Sequence, residues 1–357
     1  MPPRSPSHEN DRDLPLRPRD TPTGPVSMAT IAEAAGVSIS TVSRIVNGQI
    51  HRASPATVAR VRRAIDALGY RPNQIGLALK RGRSRLVAML TAELANPVMA
   101  TIASATEAAL RDAGYVMVLC DTHDRPDLQD EYLLAMRAQA VEGYVLVTNL
   151  PSPGLAEFVA RGEPMIFACR RNPYAPPDAP GAFIGIDNTR AGASAADYLR
   201  DSGCSRVAIL APAEGSHATN ERAEGCRTRL LERGMAADHI RSIRAPGHSH
   251  LEIGYAGAGL LAGDAPWRGG IACVSDQIAF GIHRFSQEHG LDLTTANPLI
   301  SIDGAELSAW LAPWLSSVQV PYQNFGTPIV EMLQTLWRGS AVPDRIIPYT
   351  LHLATAA

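Results

Sequence analysis

The sequence predicts two kinds of structure in one chain: a small all-α head near the N-terminus and a larger α/β body with parallel sheets. Three observations predict this division. The 357 residues are enough for two or three compact units. Apolar residues follow a helical spacing in the head, whereas short apolar strands alternate with longer amphipathic helices in the body. The charge also changes sign between the two parts.

The formal net charge of −2 hides an asymmetry along the chain. Residues 28–85 hold ten Arg and Lys against Glu33 and Asp66, a balance of +8, whereas residues 86–357 carry nineteen basic and twenty-nine acidic side chains, a balance of −10. A basic head on an acidic body is typical of a protein that binds nucleic acid. A solvated basic face is the alternative, but it is more usual for a single helix.

The cysteines and the N-terminal residues bear on the compartment. Five cysteines lie mostly in or beside apolar runs without a C-x-x-C pair, which is typical of a reducing compartment: Cys120, Cys169, Cys204, Cys226 and Cys273. Residues 1–26 are rich in proline and charge, so we expect a disordered tail and no signal peptide. No stretch reaches the roughly 18 apolar residues of a membrane span. We therefore expect a cytoplasmic protein without membrane contact.

Residues 27–71 are expected to form the head, with three helices whose ends are marked in the sequence. A serine can accept a hydrogen bond from the first turn of each helix, and a glycine can end the first and the third. Proline at the first helical position strengthens the start of the third helix. The end signals are, in chain order, Ser27, Gly36, Ser38, Ser54, Pro55 and Gly69.

The second helix, within residues 39–47, is the expected DNA-reading helix. Its apolar residues form one stripe, which leaves Ser40 and Arg44 on the opposite face. Two short helices joined by a glycine-containing turn, the second with a polar outer face, indicate a helix-turn-helix. Arg44 can offer two parallel donors to a guanine edge, and hydroxyl groups suit phosphate oxygens. A solvated surface arginine is the alternative for Arg44.

The head contains the gapless run S-M-A-T-I-A-E-A-A-G-V-S-I-S-T-V-S-R-I-V-N-G from Ser27, followed by S-P-A-T and by A-I-D-A-L-G-Y-R-P-N in residues 64–73. This pattern resembles the head of the LacI/GalR family of regulators. The resemblance implies that Ile39, Ser40 and Arg44 face base edges in the major groove. Ile39 differs from the polar residues often found at its position, so we expect it to make an apolar contact with a thymine methyl. The resemblance also implies a set of phosphate contacts: Ser38, Thr41, Ser43 and Asn47.

Residues 72–85 are expected to form a hinge between the head and the body. Pro72 ends the third helix, and the short segment N-Q-I-G-L-A-L-K that follows would be marginal as an isolated helix. The resemblance implies that this segment folds on operator DNA, where Leu79 wedges into the minor groove and kinks the duplex. Lys80 would lie beside the phosphates. An ordinary amphipathic linker packed on the core is the alternative.

The body, residues 86–357, is expected to contain parallel sheets with helices on both faces. The predicted strands include 86–91, 116–121, 144–148, 165–168, 184–187, 207–211, 271–275 and 299–303. The predicted helices include 97–113, 127–139, 189–202, 219–233, 276–289 and 321–338. In sheets of this kind, ligands bind beyond the carboxyl ends of the strands.

Six motifs extend the family resemblance over nearly the whole chain after residue 26. They are L-A-N-P (94–97), I-D-N-T-R-A-G (186–192), R-A-E-G (222–225), V-S-D-Q-I-A-F-G (274–281), I-S-I-D-G (300–304) and S-S-V-Q-V-P-Y (316–322). The resemblance implies a two-lobed sensor domain like a periplasmic binding protein, which binds an effector in its cleft and dimerises. We expect lobe 1 at about 86–186 and 314–340, and lobe 2 at about 187–313 and 341–357.

The resemblance places effector-binding residues at strand ends. Arg222 lies in an R-x-x-G motif where the family uses an arginine on the ligand, and the Asp303 carboxylate would accept from ligand hydroxyl or amino groups. Ser275 and Asp276 are expected at another strand end facing the cleft. For Asp276, capping of the following helix is an equal alternative. Such side chains offer the paired donors and acceptors that a polyhydroxylated ligand needs.

Five further positions are expected to contact the effector: Val98, Met99, Cys169, Arg170 and Ser249. Valine and methionine replace common aromatics, cysteine replaces a common aspartate, and serine stands where some members stack an aromatic ring on the ligand. A sugar, polyol or sugar acid is therefore expected rather than a flat purine. Other loop side chains could add polar contacts, although a surface or turn role is the simpler interpretation: His123, Asp124, His217, His248 and His250.

These observations predict a sequence-specific DNA-binding transcription regulator, with no cofactor and no metal. We expect a homodimer on a pseudo-palindromic operator. Repression is the commoner use in the family, and activation depends on the position of the operator. An enzyme is the first alternative, but no nucleophile elbow, P-loop or dinucleotide fingerprint is present in the sequence. A transport-type binding protein would need a signal peptide in place of the DNA-reading head.

Overall fold

The computed structural model describes residues 26–70, 84–176, 181–263 and 267–354. These residues belong to two compact units, a helical head up to residue 70 and an α/β body from residue 84 onward. The expected tail and hinge lie almost entirely outside the described residues.

Three helices form the head: α1 (Met28–Ala35), α2 (Ile39–Val46) and α3 (Pro55–Leu68). The capping serine before each helix accepts a hydrogen bond from a backbone N–H three residues further on. Gly36 and Gly69 follow α1 and α3 with a φ of 63°, a left-handed conformation that favours glycine. Pro55 is the first residue of α3. The end signals predicted from the sequence are confirmed.

The apolar stripe of α2 packs into the core of the head. Val42 is fully buried, together with Ile31 of α1 and Val61 of α3, whereas Ile39 on the other side of α2 is 53 % exposed. Burial of each of these large side chains stabilises the head by about 1.5–3 kcal/mol. Because the apolar stripe packs into the core of the head, the opposite face of α2 is free to contact another molecule.

The first sheet of the body is parallel at every described pairing, with helices α4 (Pro97–Asp112), α5 (Pro126–Ala138) and α6 (Pro153–Ala160) between its early strands. Its strands are β1 (Leu86–Thr91), β2 (Val116–Asp121), β3 (Gly143–Val147), β4 (Met165–Ala168), β5 (Phe183–Gly185) and β11 (Arg345–Ile346). They lie in the order β11-β5-β4-β3-β1-β2. This sheet and its helices form lobe 1.

The second sheet is also parallel, except that its last strand pairs antiparallel with its neighbour. Its strands are β6 (Val207–Pro212), β7 (Ile240–Ala245), β8 (Gly270–Cys273), β9 (Leu299–Asp303), β10 (Ser316–Gln319) and β12 (Thr350–His352). Their order is β12-β10-β9-β8-β6-β7. The helices of this lobe 2 are α7 (Asn188–Asp201), α8 (His217–Glu232), α9 (His250–Ala262), α10 (Asp276–Glu288) and α11 (Glu306–Leu311).

The chain passes between the lobes three times, after β5, β10 and β11. After the second passage, helix α12 (Gly326–Trp337) packs against α4 and β4 of lobe 1. Sheet membership differs from the expected lobe segments in two places, since β10 belongs to lobe 2 and β11 to lobe 1. A strand of two to four residues carries too little local pattern to indicate its hydrogen-bonding partner in a distant part of the chain.

The predicted elements agree with the structure to within a few residues. Four of the eight predicted strands have their predicted bounds, β1, β2, β4 and β9, and the others shift by one or two residues at an end. The predicted helix 321–338 is interrupted, because a 3-10 turn at Tyr322–Asn324 precedes α12.

Glycines bring two pairs of helices in lobe 2 into close contact. A Cβ atom on Gly192 of α7 would lie 2.0 Å from the Arg222 carbonyl oxygen of α8, and one on Gly225 of α8 would lie 2.1 Å from the Thr189 carbonyl oxygen. Gly254 and Gly281 occupy the same role between α9 and α10. The motifs I-D-N-T-R-A-G and R-A-E-G therefore contain packing glycines, which allow the backbones of α7 and α8 to approach closely.

Candidate functional site

The outer face of α2 carries the side chains expected to read base edges. Ile39 is 53 % exposed at the first position of the helix. The Arg44 guanidinium folds back along the helix, with Nε donating to the Ser40 carbonyl oxygen at 3.2 Å and Nη2 to the Ser40 hydroxyl at 3.4 Å. Both contacts are exposed and local, so the guanidinium can leave them for another acceptor.

The expected phosphate-contacting side chains lie at the two ends of α2. The Ser38 hydroxyl is within 2.9 Å of the hydroxyl groups of Ser40 and Thr41, at the N-terminus where backbone N–H groups favour anions. Asn47 donates to the Ser43 carbonyl oxygen at 2.6 Å at the other end of the helix. The expected groove residues Leu79 and Lys80 lie outside the described residues.

A cavity of about 560 Å³ lies between the two lobes of the body. The carboxyl ends of strands in both sheets supply its wall, as expected for parallel α/β sheets. The expected effector residues that line it are Val98, Met99, Cys169, Arg170, Arg222, Ser249 and Asp303. The structure does not place the side chains of Ser275 and Asp276 on this wall. Four of the further candidates also line the cavity: His123, Asp124, His248 and His250, of which His250 is the first residue of α9 and not a loop residue.

A buried ion pair between Arg222 and Asp303 forms the centre of the cavity wall. Arg222 Nη1 lies 3.0 Å from Asp303 Oδ1, and the two side chains are only 10 % and 11 % exposed. The same guanidinium donates through Nε to Asn188 Oδ1 at 2.9 Å and through Nη1 to the carbonyl oxygen of Val274 at 2.9 Å. The Tyr322 hydroxyl donates to Asp303 Oδ1 at 2.8 Å. These contacts hold both charged groups in one orientation.

Burial and charge shift the pKa values of this network. Burial raises the pKa of Asp303 to about 6, and the positive charge of Arg222 opposes that shift. Burial acts to lower the pKa of Arg222, but the charges of and hydrogen bonds with Asp303 and Tyr322 together outweigh it, so the pKa of Arg222 is raised. Burial and the nearby Asp303 both raise the pKa of the Tyr322 hydroxyl, which therefore remains a donor.

Asn188 and Tyr322 are members of the network that the sequence did not single out. Asn188 begins α7 and lies within the motif I-D-N-T-R-A-G, and Tyr322 is the last residue of the motif S-S-V-Q-V-P-Y. Both segments are places where the chain passes between the lobes. Both residues lie in motifs that the sequence analysis had noted. Only their contacts with Arg222 in the structure indicate that they belong to the cavity network.

Asp276 is a buried structural anchor in lobe 2. Its carboxylate accepts from the Ser301 and Ser308 hydroxyls at 2.6 and 2.5 Å and from the backbone N–H groups of Gly304 and Ala305. These donors surround the turn between β9 and α11, so Asp276 stabilises the start of α11 rather than capping its own helix α10. Because β9 ends at Asp303, this anchor also fixes the backbone beside the ion pair.

Strained backbone is concentrated around the cavity. Eight non-glycine residues of the described chain have a positive φ, and five of them line the cavity: His123, Asp124, Thr148, Cys169 and Asp303. Each such conformation costs roughly 1–3 kcal/mol and persists only where surrounding contacts impose it. The clustering at strand ends is typical of a binding site.

The described residues contain neither a candidate metal centre nor a helix that could span a membrane. No cluster of three or more His, Cys, Asp or Glu side chains in that part of the chain could hold a metal ion. Among the same residues, no helix is both long and apolar enough to cross a membrane.

A helix-turn-helix head in one chain with a two-lobed α/β body, and a polar cavity at the strand ends of both lobes, define a ligand-responsive DNA-binding regulator. Family comparison agrees with this class. Residues 27–73 match the profile of bacterial regulatory proteins of the lacI family, and residues 84–348 match that of the periplasmic binding proteins and sugar binding domain of the LacI family. The chain belongs to the LacI family of transcriptional regulators.

Individual relatives share the same organisation. The chain is 28 % identical over 329 residues to the HTH-type transcriptional regulator PtxS of Pseudomonas putida, covering 92 % of this chain and 94 % of PtxS. It is 30 % identical to an HTH-type transcriptional regulator from the aml 5′ region of Streptomyces limosus, covering 88 % and 89 % of the two chains. These relatives are regulators and not enzymes, in agreement with the expected class.

Among solved structures, the fold is similar to that of the Lac repressor dimer bound to operator and the anti-inducer ONPF. The TM-score is 0.79 at 22 % identity, and the match covers 93 % of this chain and 99 % of that one. The predicted fold class, a helix-turn-helix head with a two-lobed body of parallel sheets, is confirmed.

Proposed function

We propose that this protein is a repressor that binds a pseudo-palindromic operator as a homodimer in the bacterial cytoplasm and is controlled by a small polar effector. The observation that carries the proposal is the buried Arg222–Asp303 pair on the wall of a cavity, in a chain that also presents an exposed polar helix. Burial of each charge is costly, so a buried charged pair contributes little net stability, and its position on a cavity wall is typical of a binding site.

The effector is proposed to be a sugar, a polyol or a sugar acid. A cavity of about 560 Å³ is in the size range of small-molecule sites. Its polar wall offers a guanidinium group, carboxylates, imidazoles and hydroxyls, and such groups recognise several ligand hydroxyls at once. The description of the matched family profile as a sugar-binding domain supports the same class.

Operator recognition is assigned to α2, with Ile39, Ser40 and Arg44 toward the bases. The phosphate contacts are assigned to Ser38, Thr41, Ser43 and Asn47. Leu79 is proposed as the minor-groove wedge and Lys80 as its neighbour on the phosphates.

Replacement of Arg44 tests the base-reading role. Arg44→Ala is expected to weaken specific binding by roughly 1–3 kcal/mol and to relax the preference at one operator position, because a guanine loses its paired donors. An operator is first selected from a random duplex pool. Binding constants for this operator and for its single-base variants are then measured by fluorescence anisotropy at one fixed salt concentration.

Arg63→Ala is the matched control for Arg44. Arg63 lies on α3, and its Nε donates to the Ala59 carbonyl oxygen one turn back, just as Arg44 donates to that of Ser40. Loss of Arg63 is expected to leave the discrimination between base pairs unchanged. Equal discrimination by wild type and Arg44→Ala would contradict the assignment of Arg44.

Helix α11 is proposed to contribute to the dimer interface with a second copy of this chain. Three of its apolar side chains are exposed: Leu307 by 50 %, Trp310 by 80 % and Leu311 by 66 %. The Asp276 carboxylate accepts hydrogen bonds from Ala305 and Ser308 at the start of this helix. These bonds hold the helix, and therefore its apolar face, in a fixed position. Exposed apolar residues on a rigid element favour association. The similar Lac repressor structure is described as a dimer.

Trp310→Asp is expected to raise the dimer dissociation constant by about 100-fold or more, because an unpaired carboxylate is costly to bury. Sedimentation velocity over a range of concentrations measures the constant. Leu231→Asp, on helix α8, removes a leucine that is 40 % exposed and serves as the control. A dimer that remains as tight in Trp310→Asp as in wild type would exclude α11 from the interface.

Effector binding is proposed to change the angle between the lobes and hence the spacing of the two heads. Since this is coupling between two sites, operator DNA must change effector affinity by the same factor. A direct test selects operators from a random duplex pool and then repeats the binding with sugars, polyols and sugar acids. Absence of a salt-sensitive preference for any palindromic duplex, with or without these compounds, would contradict the proposed function.

A further inference from the structure

His250 lies at the start of α9, and its ring is fixed against a neighbouring helix. His250 Nδ1 lies 2.7 Å from the hydroxyl of Ser275, a residue that is only 2 % exposed and that immediately precedes α10. The side chain is partly buried and lines the cavity between the lobes. Among the described residues, Nε2 has no hydrogen-bond partner, and it is not one of the buried polar atoms that lack one. Nε2 is therefore open to the cavity.

The Ser275 hydroxyl does not cap helix α10, although Ser275 is the residue just before it. Serine at the residue before a helix ordinarily accepts a hydrogen bond from the first turn, as Ser249 does before α9. Ser275 has the extended backbone of such a residue, with φ −156° and ψ 160°, but its side chain makes no cap hydrogen bond. The hydroxyl contacts the His250 ring instead, so a stabilising interaction of α10 is absent where the ring is held.

Electrostatics keep the ring neutral. Burial lowers the pKa of His250 to about 4, and the positive charges of Arg222 and Arg170 act in the same direction, while Asp124 opposes them. A neutral imidazole has one donor and one acceptor nitrogen, and the hydrogen bond at Nδ1 determines which of these Nε2 offers. The cavity wall thereby includes a neutral imidazole of fixed orientation beside its charged groups.

We propose that His250 binds the effector directly, with Nε2 hydrogen-bonded to one effector hydroxyl, and that Ser275 is the positioning residue that orients the ring. This inference rests on the proposed effector function of the cavity. It assigns the recognition of one hydroxyl to a fixed neutral group, whereas Arg222 and Asp303 provide charged contacts. A hydroxyl of the wrong configuration would leave Nε2 unpaired beneath the bound effector, so His250 sets specificity between epimers.

The experiment uses the full chain and a defined set of probes: the D-aldohexoses, their alditols and their aldonic acids. A thermal-shift screen of wild type finds the binders, and titration calorimetry measures their affinity for each variant. His250→Ala is expected to weaken binding about tenfold and to reduce the discrimination between epimers to less than about threefold. Unchanged affinity and unchanged epimer discrimination would overturn the proposal.

His283→Ala is the matched control, since the His283 ring is also partly buried and its Nδ1 lies 3.0 Å from a hydroxyl, that of Thr294, but it does not line the cavity. It is expected to change affinity by less than about twofold. Ser275→Ala is expected to weaken binding severalfold, and Ser275→Thr, which keeps the hydroxyl, to restore it. Weak binding by both Ser275 variants would indicate a packing role and remove Ser275 from the proposal.

Nitrogen-15 NMR of histidine-labelled wild type measures ligand contact on the unaltered chain, and a variant is needed only to assign the signal. Addition of a binding probe is expected to shift Nε2 of His250, whose signal is the one missing in His250→Gln, and to leave the His283 signals in place. A His250 signal that does not move on saturation overturns the proposal. If no probe binds wild type at all, the proposed effector class is wrong. Binding of a probe without any change at His250 is a different result, and it contradicts only the role of His250.

Discussion

Arg222→Ala is expected to abolish measurable effector binding and to destabilise the body by about 3–5 kcal/mol. The replacement leaves Asp303 buried at the cavity wall with Tyr322 as its remaining side-chain partner in the network. It also removes the donors to Asn188 and to the Val274 carbonyl oxygen, which link α7 and β8 to the site. Calorimetric titration with a wild-type binder and urea denaturation measure the two effects.

The loss of stability in Arg222→Ala is expected to depend on pH. The pKa of Asp303 is raised by burial to about 6 even with Arg222 present, so the folded protein takes up a proton at this carboxyl more readily than the unfolded chain. For a raised carboxyl pKa, folding becomes less favourable as pH rises above the unfolded value of about 3.9 and through the folded value. Without Arg222 the penalty is therefore larger at pH 8 than at pH 5.

Arg229→Ala is the control for Arg222, because it removes an arginine from the same helix. Arg229 is 37 % exposed and pairs with Asp197 and Glu232 at the surface. Its loss is expected to cost no more than about 1 kcal/mol and to leave effector affinity unchanged. Equal stability of Arg222→Ala and Arg229→Ala, or retained effector binding in Arg222→Ala, would contradict the central role of the buried pair.

Gly192→Ala is expected to destabilise the body by about 3 kcal/mol and to weaken effector binding at the same time. The added methyl group would lie 2.0 Å from the carbonyl oxygen of Arg222 and 2.8 Å from the backbone nitrogen of Cys226, so α7 and α8 must separate. Because the obstruction involves the backbone of Arg222 itself, the guanidinium moves away from Asp303. Thermal denaturation and the effector titration report the two consequences.

Gly259→Ala is the control for Gly192→Ala, because it is expected to stabilise the same lobe. Gly259 is an exposed residue of α9, and a Cβ atom there meets only Phe285 at 3.5 Å, an ordinary contact. Alanine is the better helix former, so this variant is expected to gain about 1 kcal/mol of stability. Equal free energies of unfolding for Gly192→Ala and Gly259→Ala would contradict the expectation that close packing of α7 on α8 positions the site.

Local sequence was sufficient for the head and for most strands of the body. The serine caps, Pro55 and the two left-handed glycines act within one helical turn, and the apolar stripe of α2 follows from spacing alone. The bounds of β1, β2, β4 and β9 also follow from short apolar runs. These features depend on interactions between near neighbours in the chain, which the residues themselves specify.

Tertiary structure alone decided how the polar side chains at and near the cavity pair with one another. Asp276 and Ser275 lie at a strand end as expected, yet Asp276 binds donors about 25–32 residues further on, and Ser275 contacts His250 25 residues earlier. The partners of Arg222 lie 34, 81 and 100 residues away in Asn188, Asp303 and Tyr322. The direction of a side chain at a strand end depends on what the rest of the fold brings beside it, and no local spacing encodes that neighbour.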